Sequence, residues 1–357
     1  MKTVLVLFGG QSSEHDISCI SACTVIRALD RTKYDPVLVG ITKQGKWIYT
    51  EDISQIESGR WRDGKVQAVL SPDAKERALY LMQYEVVSQK IRIDIAFPVL
   101  HGLYGEDGTV QGIFELMQIP YVGPGVLSCA VSMDKLFTKV LVNAIGIRQA
   151  EYVGVHRSEL QNMDEVVRRV EEKLSYPVFV KPSCAGSSKG VSKATDRRSL
   201  ETALLIANLH DSKILVEESI KGRELECAAY SCGNEVRVIG PGEVVAGAEF
   251  YDFDAKYNNS ESRTDTAPFL PFGVEEEIRK KAEQVFRAVD AYGLSRVDFF
   301  LDERGIVFNE INSIPGFTAI SMYPMLFESR GVPHAELVQM LLDSAEARDP
   351  KTAPGAV

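Results

Sequence analysis

Asp298 and Glu310 fall on two β-rich runs, Val297 to Leu301 and Ile306 to Ile311, separated by a turn containing Gly305, and Arg296 and Asn312 flank the outer ends of those runs. Two such runs around a Gly-containing turn predict a β-hairpin. Two registers can close it. If Leu301 pairs with Ile306, Asp298 and Glu310 point to opposite faces, because side chains alternate along a strand. If Asp302 pairs with Ile306, the loop is Glu303-Arg304-Gly305, with Gly305 in the left-handed position of a three-residue hairpin. That register sets Asp298 across from Glu310 and Arg296 across from Asn312, all on one face. Carboxylates paired in this way repel at β-carbon separations of about 4.5–5.5 Å unless a cation lies between them. Two carboxylates and an amide oxygen are a ligand set for Mg²⁺. Pro315-Gly316 follows directly, a turn that can expose backbone N–H groups such as that of Gly316.

A second group of candidates suits phosphate. Tyr176 to Ser183 reads as a strand that delivers Lys181 to its end, and Cys184-Ala-Gly-Ser-Ser-Lys-Gly190 follows as a loop of N–H and hydroxyl donors. No GxxxxGK[ST] P-loop occurs in the chain. Gly186-Ser-Ser-Lys-Gly190 also fits the G-x-S-x-G nucleophile elbow, which requires a strand-to-helix turn at the serine. Val191 to Ala194 reads as extended, and His334 beside Pro333 reads as a helix start, so a hydrolase is set aside. Phe250 to Pro271 is a polar segment longer than the roughly 12–15 residues usual for a structureless loop, and its head, Tyr251 to Tyr257, predicts a lid that docks. Residue types and spacing alone therefore point to a nucleoside-triphosphate site without a P-loop.

The elements that must carry these groups can be read in order. Val4 to Phe8, ending in Gly9-Gly10, predicts a buried parallel strand. A helix to Leu29 and a strand from Tyr34 to Ile41 complete a β-loop-α-β unit, with Glu14 at the carboxyl-end rim where such sheets bind ligands. Residues 43 to 90 read as a small hairpin around Trp47 and an irregular polar insertion. Ile91 to Leu100 predicts a strand ending in the loop His101-Gly-Leu-Tyr-Gly-Glu-Asp-Gly108. Thr109 to Gln118 and Val126 to Ile145 read as helices on either side of a boundary near residue 125. Lys213 to Ile220 is an apolar strand closing on Glu217-Glu218, and Gly222-Arg223-Glu224 turns into the next strand. Val274 to Tyr292 is an amphipathic helix with Ile278, Ala282, Val285 and Phe286 on its apolar stripe. Ala319 to Glu328 and Pro333 to Ala345 read as helices, and Asp349 to Val357 as a tail.

Composition bounds the answer. A chain of 357 residues suggests two or three domains, and its 45% hydrophobic and 25% charged content is that of a globular protein. A net charge of −10 argues against nucleic acid or an anionic membrane surface as partner. The six cysteines show no CxxC pair, which reads as reduced thiols in a cytoplasmic protein. Val4 to Phe8 is too short for a signal sequence, and no run approaches the ~20 apolar residues of a membrane span.

Seven stretches resemble ATP-grasp ligases, and the D-alanine–D-alanine ligase family in particular, in family order along essentially the whole chain. They are Gly9 to Ser18, His101 to Gly108, Ser132-Met-Asp-Lys135, Lys181 to Gly190, Asp254-Ala-Lys-Tyr257, Ser295-Arg-Val-Asp298 and Asn309 to Phe317. The resemblance implies an α/β protein, α+β in its ATP-grasp part, with a three-domain ATP-grasp architecture and an N-terminal parallel-sheet domain. The expected units are 1–125, 126–212 and 213–357, the last with lid loop 250–271. It implies ATP as cosubstrate, D-alanine as substrate, two Mg²⁺ ions with Mn²⁺ able to substitute, and a homodimer.

The same resemblance assigns roles. Asp298, Glu310 and Asn312 would hold the metals. Lys135, Lys181, Ser188 and Lys256 would contact phosphates. Glu217, Glu218 and Ile220 would frame the adenine, with Glu224 on the ribose. Arg296 and Gly316 would stabilise the oxyanion. Glu14 would hold the first ammonium group, linked through Ser187 and Tyr257, with His101 nearby. Ser321 and Met322 would meet the second D-alanine. The Lys256-Tyr257 pair and Met322 favour the dipeptide over D-alanyl-D-lactate or D-alanyl-D-serine.

Overall fold

The computed structural model describes residues 1–186, 189–245 and 263–348. It contains three sheets. In the first, β1 (Lys2–Gly9) is fully buried from Val4 to Phe8. Helix α1 (His15–Ala28) returns the chain so that β2 (Tyr34–Ile41) lies parallel to β1. The strands β3 (Trp47–Thr50), β4 (Gln67–Leu70), β5 (Ala78–Gln83) and β6 (Val86–Arg92) then extend this sheet antiparallel, with α2 (Ile53–Glu57) after β3. On the other side β7 (Ile95–Pro98) lies parallel to β1, giving the order β6-β5-β4-β3-β2-β1-β7.

Residues 43–90 are therefore most of a sheet half, where the sequence predicts a small hairpin and an irregular insertion. The physical reason is exposure. Strand β6 is an edge strand that is exposed at nearly every position, so the alternation that identifies half-buried strands is missing. The strand read from Ile91 to Leu100 is likewise two pieces, the end of β6 and β7.

Helix α3 (Thr109–Met117) precedes a second departure. The helix expected from Val126 to Ile145 is two helices, α4 (Val126–Met133) and α5 (Lys135–Ala144). Asp134 breaks it, because its carboxylate caps α5 by accepting from the Leu136 and Phe137 N–H groups. The same carboxylate takes the Ser183 hydroxyl at 2.6 Å and the Lys213 ammonium, partners that sequence spacing does not reveal.

The second sheet contains β8 (Tyr152–His156), β9 (Val178–Pro182), β10 (Ser192–Ala194) and β11 (Lys213–Glu218), all antiparallel, in the order β10-β9-β11-β8. Helices α6 (Met163–Lys173) and α7 (Arg197–Asn208) pack their apolar stripes on it. Strand β11 starts at Lys213 and pairs with β9 and β8, so this sheet runs past the boundary expected at 212.

The third sheet holds β12 (Arg223–Cys232), β13 (Glu235–Val245), β14 (Arg263–Asp265), β15 (Leu294–Asp302) and β16 (Gly305–Asn312), in the order β14-β13-β12-β15-β16. Helix α8 (Val274–Ala288) buries Ile278, Ala282 and Val285 against it, and Phe286 of the same stripe is also buried, as read from the sequence. Helices α9 (Met322–Ser329) and α10 (His334–Ala347) close the chain. Their apolar residues share one continuous core with β1 and α1, which fastens the first sheet to the third. Among the described residues no helix is long and apolar enough to cross a membrane. All six cysteines are free thiols.

Candidate active site

The hairpin of β15 and β16 resolves its two registers by using both. Near the turn Leu301 faces Ile306 and Asp302 faces Gly305, so the loop is Glu303-Arg304 rather than the three-residue loop of the second register. Gly305 has φ +111°, a backbone conformation that side chains disfavour. At Asn309 the ladder takes one extra residue, a β-bulge, and beyond it Asp298 faces Glu310 and Arg296 faces Asn312. The bulge absorbs the one-residue difference between the two readings.

The four polar groups are in contact or close to it. Arg296 donates from Nε to Oδ1 of Asp298 at 2.8 Å and from Nη2 to Oδ2 at 2.7 Å, a two-pronged pair. Glu226 of β12 approaches the same guanidinium at 3.1 Å. Burial opposes the Arg296 charge, but Asp298 and Glu226 outweigh it and raise its pKa. The Asn312 amide nitrogen donates to Oδ2 of Asp298 at 2.9 Å. Asp298 is buried, whereas Glu310 opens to the cleft, with the Lys135 ammonium 3.7 Å from its carboxylate. Two carboxylates and an amide oxygen remain a hard-oxygen set that fits Mg²⁺ in ligand chemistry.

Arg296, Glu310 and Asn312 form one wall of a cleft of about 620 Å³. The first sheet contributes Glu14, which stands at the N-cap of α1, and His101. A β-carbon built on Gly102 would lie 3.0 Å from Oε2 of Glu14, and one on Gly186 3.2 Å, so both loops leave room for that carboxylate. The second sheet contributes Lys135, Lys181, Glu217 and Glu218. Lys135 begins α5 and donates to the Ala185 carbonyl at 3.1 Å. Glu217 is buried between the ammonium groups of Lys181 and Lys139, the latter at 3.1 Å. Burial alone would raise the Glu217 pKa, but the two lysines lower it to about 2. Ile220 and Glu224 line the cleft beside them.

The third sheet adds Arg296, Glu310 and Asn312, and the following turn adds Gly316, Ser321 and Met322. Ser321 accepts from the Thr318 N–H at 3.0 Å, and Met322 is buried against Gly242. Asp298 lies behind this wall rather than on it. Ser187, Ser188, Lys256 and Tyr257, residues 250–262 of the expected lid, and the tail 349–357 lie outside the described residues, whereas Arg263–Asp265 of the expected lid pair with β13 as β14 and are not loop.

Four further polar residues belong to this site and escape the sequence reading of roles. Lys139 carried a signal, because it follows Lys135 by four residues and so shares its helix face. Glu226 follows Glu224 by two and shares its strand face. Ser21 and Glu106 carried none, since their partners lie some two hundred residues or more away in sequence.

Comparison with known proteins fits this geometry. The chain matches the family model "D-ala D-ala ligase N-terminus" over residues 3–124 and "D-ala D-ala ligase C-terminus" over 141–343. It belongs to the D-alanine–D-alanine ligase family. A D-alanine–D-alanine ligase of Acetivibrio thermocellus is 47% identical over 97% of this chain and 96% of its own. Among solved structures, the VanG D-Ala:D-Ser ligase of Enterococcus faecalis superposes with a TM-score of 0.87 at 34% identity, covering 96% of this chain and 99% of that one. The D-alanine–D-alanine ligase of Coxiella burnetii gives 0.83 at 30% identity, covering 96% and 93%. The mixed α/β architecture with a parallel-containing first sheet is that of the ATP-grasp ligases.

Proposed function

We infer that this chain joins two D-alanines into D-alanyl-D-alanine at the expense of ATP, in the cytoplasm, for peptidoglycan precursor synthesis. The observation that carries the reading is a single cleft lined from all three sheets, in a chain with close relatives named D-alanine–D-alanine ligase. A carboxylate is a poor electrophile until one of its oxygens becomes part of a leaving group. Transfer of the γ-phosphoryl group to a carboxylate oxygen of the first D-alanine forms a C–O–P linkage and releases ADP. The amine of the second D-alanine attacks the carbonyl carbon. The C–N bond forms, the C–O bond to phosphate breaks, and inorganic phosphate and one proton are released.

Each wall of the cleft suits one part of this chemistry. Glu14 offers an anion to the first ammonium group, with Ser187 and Tyr257 as its links and His101 as a neighbour. Lys135 and Lys181, with Ser188 and Lys256, supply cations and donors for phosphates. Glu217, Glu218 and the Ile220 backbone frame the adenine, and Glu224 the ribose. Arg296 and the Gly316 N–H stabilise the tetrahedral oxyanion, a contribution that can reach ~3–4 kcal/mol per donor. Ser321 and Met322 meet the second D-alanine. Asp298, Glu310 and Asn312 would hold two Mg²⁺ ions, or Mn²⁺ in their place. When bound, such ions spread the charge of a transferring phosphoryl group.

We divide the chain into three units, at residue 125 and after Glu218, moving the second boundary from 212 so that β11 stays with its sheet. We place the lid over 250–262, because Arg263–Asp265 pair with β13 as β14, and take the assembly as a homodimer. Coupled ADP release, with D-alanine, D-serine and D-lactate offered in turn as second substrate, tests the activity. Fastest turnover to D-alanyl-D-alanine is expected. Faster turnover with D-lactate or D-serine overturns the dipeptide assignment, and no ADP release with any of them overturns the ligase.

A further inference from the structure

We propose that Ser21 and Glu106 are positioning residues that hold the 313–317 turn, and with it the Gly316 N–H, in place for the peptide-forming step. The proposal rests on the reading of Gly316 as an oxyanion donor.

The turn is held on both sides by the first sheet's unit. Ile314 donates its N–H to Oε1 of Glu106 at 3.0 Å, while Oε2 of Glu106 accepts from the Gly102 N–H at 2.7 Å. The Ser313 hydroxyl donates to the Glu106 carbonyl at 3.2 Å. Nδ1 of His101 lies 3.0 Å from the Ile314 carbonyl, and Nε2 lies 3.1 Å from the Ser21 hydroxyl. Phe317 donates its N–H to that same hydroxyl at 3.2 Å. Pro315 and Gly316 are thus suspended between two clamped residues.

Proton placement follows from the partners. A carbonyl only accepts, so Nδ1 of His101 carries the hydrogen and Nε2 of the neutral ring accepts from Ser21. Ser21 then receives from Phe317 and donates to His101, which fills its donor and one acceptor position. Ser21 is fully buried, so no water can replace it. Burial also keeps the His101 ring neutral by lowering its pKa.

This arrangement addresses the second chemical step more than the first. Phosphorylation of the carboxylate needs the phosphate and metal side of the cleft. The oxyanion appears only when the second amine attacks. A displacement of the donor by about 1 Å can cost ~10²-fold in rate.

The test compares the two steps in Ser21→Ala and in Glu106→Gln. Phosphorylation is followed as D-alanine-dependent scrambling of ¹⁸O between the β,γ-bridge and non-bridge positions of ATP. Ligation is followed as dipeptide release, and folding by thermal melting. The expected result is scrambling within a few-fold of the unmodified protein and dipeptide kcat lowered ~10²-fold, with the KM for ATP little changed. Equal loss of both steps, or no loss of ligation in a folded variant, overturns the proposal. Failure of both variants to fold assigns the pair to stability and also overturns it. An unmodified protein that neither scrambles nor ligates would instead remove the proposed function itself.

Discussion

Asp298 stands directly across the hairpin from Glu310, although Leu301, three residues nearer the turn, faces Ile306. Only the bulge at Asn309 allows both pairings, and it brings two carboxylates onto neighbouring positions of one strand pair. They differ in surroundings. Asp298 is buried and held at both oxygens by Arg296, whereas Glu310 opens to the cleft.

That difference predicts distinct phenotypes. Glu310→Gln keeps the shape of the side chain and removes its charge. Turnover is expected to fall ~10²-fold or more, because metal-dependent charge stabilisation acts on the transferring phosphoryl group. D-Alanine binding, proposed at Glu14 on the first sheet's wall, should change only a few-fold. Steady-state ADP release and calorimetric titration with D-alanine measure the two quantities. Unchanged ATP-dependent phosphate release would remove Glu310 from the metal assignment.

Asp298→Asn should be a stability variant as well as an activity variant. It leaves the Arg296 guanidinium buried with Glu226 as a carboxylate partner at 3.1 Å and the Glu310 charge also acting on it. Removing one partner of a buried ion pair costs ~3–5 kcal/mol. The retained amide oxygen and the Glu226 contact place the expected loss near the lower end of that range. Denaturant unfolding read as a shift of midpoint checks it, and a midpoint equal to that of the unmodified chain would contradict the pairing.

The buried Lys139–Glu217–Lys181 group gives a pH prediction with a definite sign. Glu217 has its folded pKa lowered to about 2 from an ordinary value of 4.5, burial being overcome by the two lysines. Its contribution to stability is therefore complete above about pH 4.5 and is lost as the pH falls toward 2. Lys139 is itself pushed down by burial, but a lysine does not titrate in this window. Lys139→Met removes one cation and lets the folded pKa rise toward the ordinary value, so the acid loss of stability should be smaller and should finish at higher pH. Unfolding midpoints measured from pH 2 to 6 decide this. Superimposable acid limbs would mean that Lys139 does not hold the Glu217 charge.

Much of this site was legible because its signals are local. The hairpin announced itself through Gly305 and two β-rich runs, and the carboxylates lie on them. The break at Asp134 was not legible, since Ser132-Met-Asp-Lys135 contains neither glycine nor proline and the capping carboxylate is fixed by Ser183 and Lys213. Strand β6 was not legible because an exposed edge leaves no alternation to read, whereas β3 lies at the Trp47 hairpin that the sequence does announce. Ser21 and Glu106 were invisible for a third reason. Nothing in the spacing of α1 or the His101 loop announces a carbonyl and two N–H groups supplied by residues 314–317.

Gly316 offers a test that separates space from chemistry. A β-carbon there would lie 2.9 Å from Oγ of Ser321 but 3.6 Å from its Cβ. The conflict is therefore with one hydroxyl, which is itself held by the Thr318 N–H at 3.0 Å and the Thr318 hydroxyl at 2.8 Å. Gly316→Ala should lower the melting temperature by about 1–2 °C, the size expected for about 1 kcal/mol of local overpacking in a chain of this length. Adding Ser321→Ala removes the atom that is struck, so Gly316→Ala should cost little in the Ser321→Ala background, in a non-additive cycle. Strict additivity of the two changes would show that the turn relaxes away from Ser321. The Gly316 N–H would then not be held where the clamp from Ser21 and Glu106 requires it.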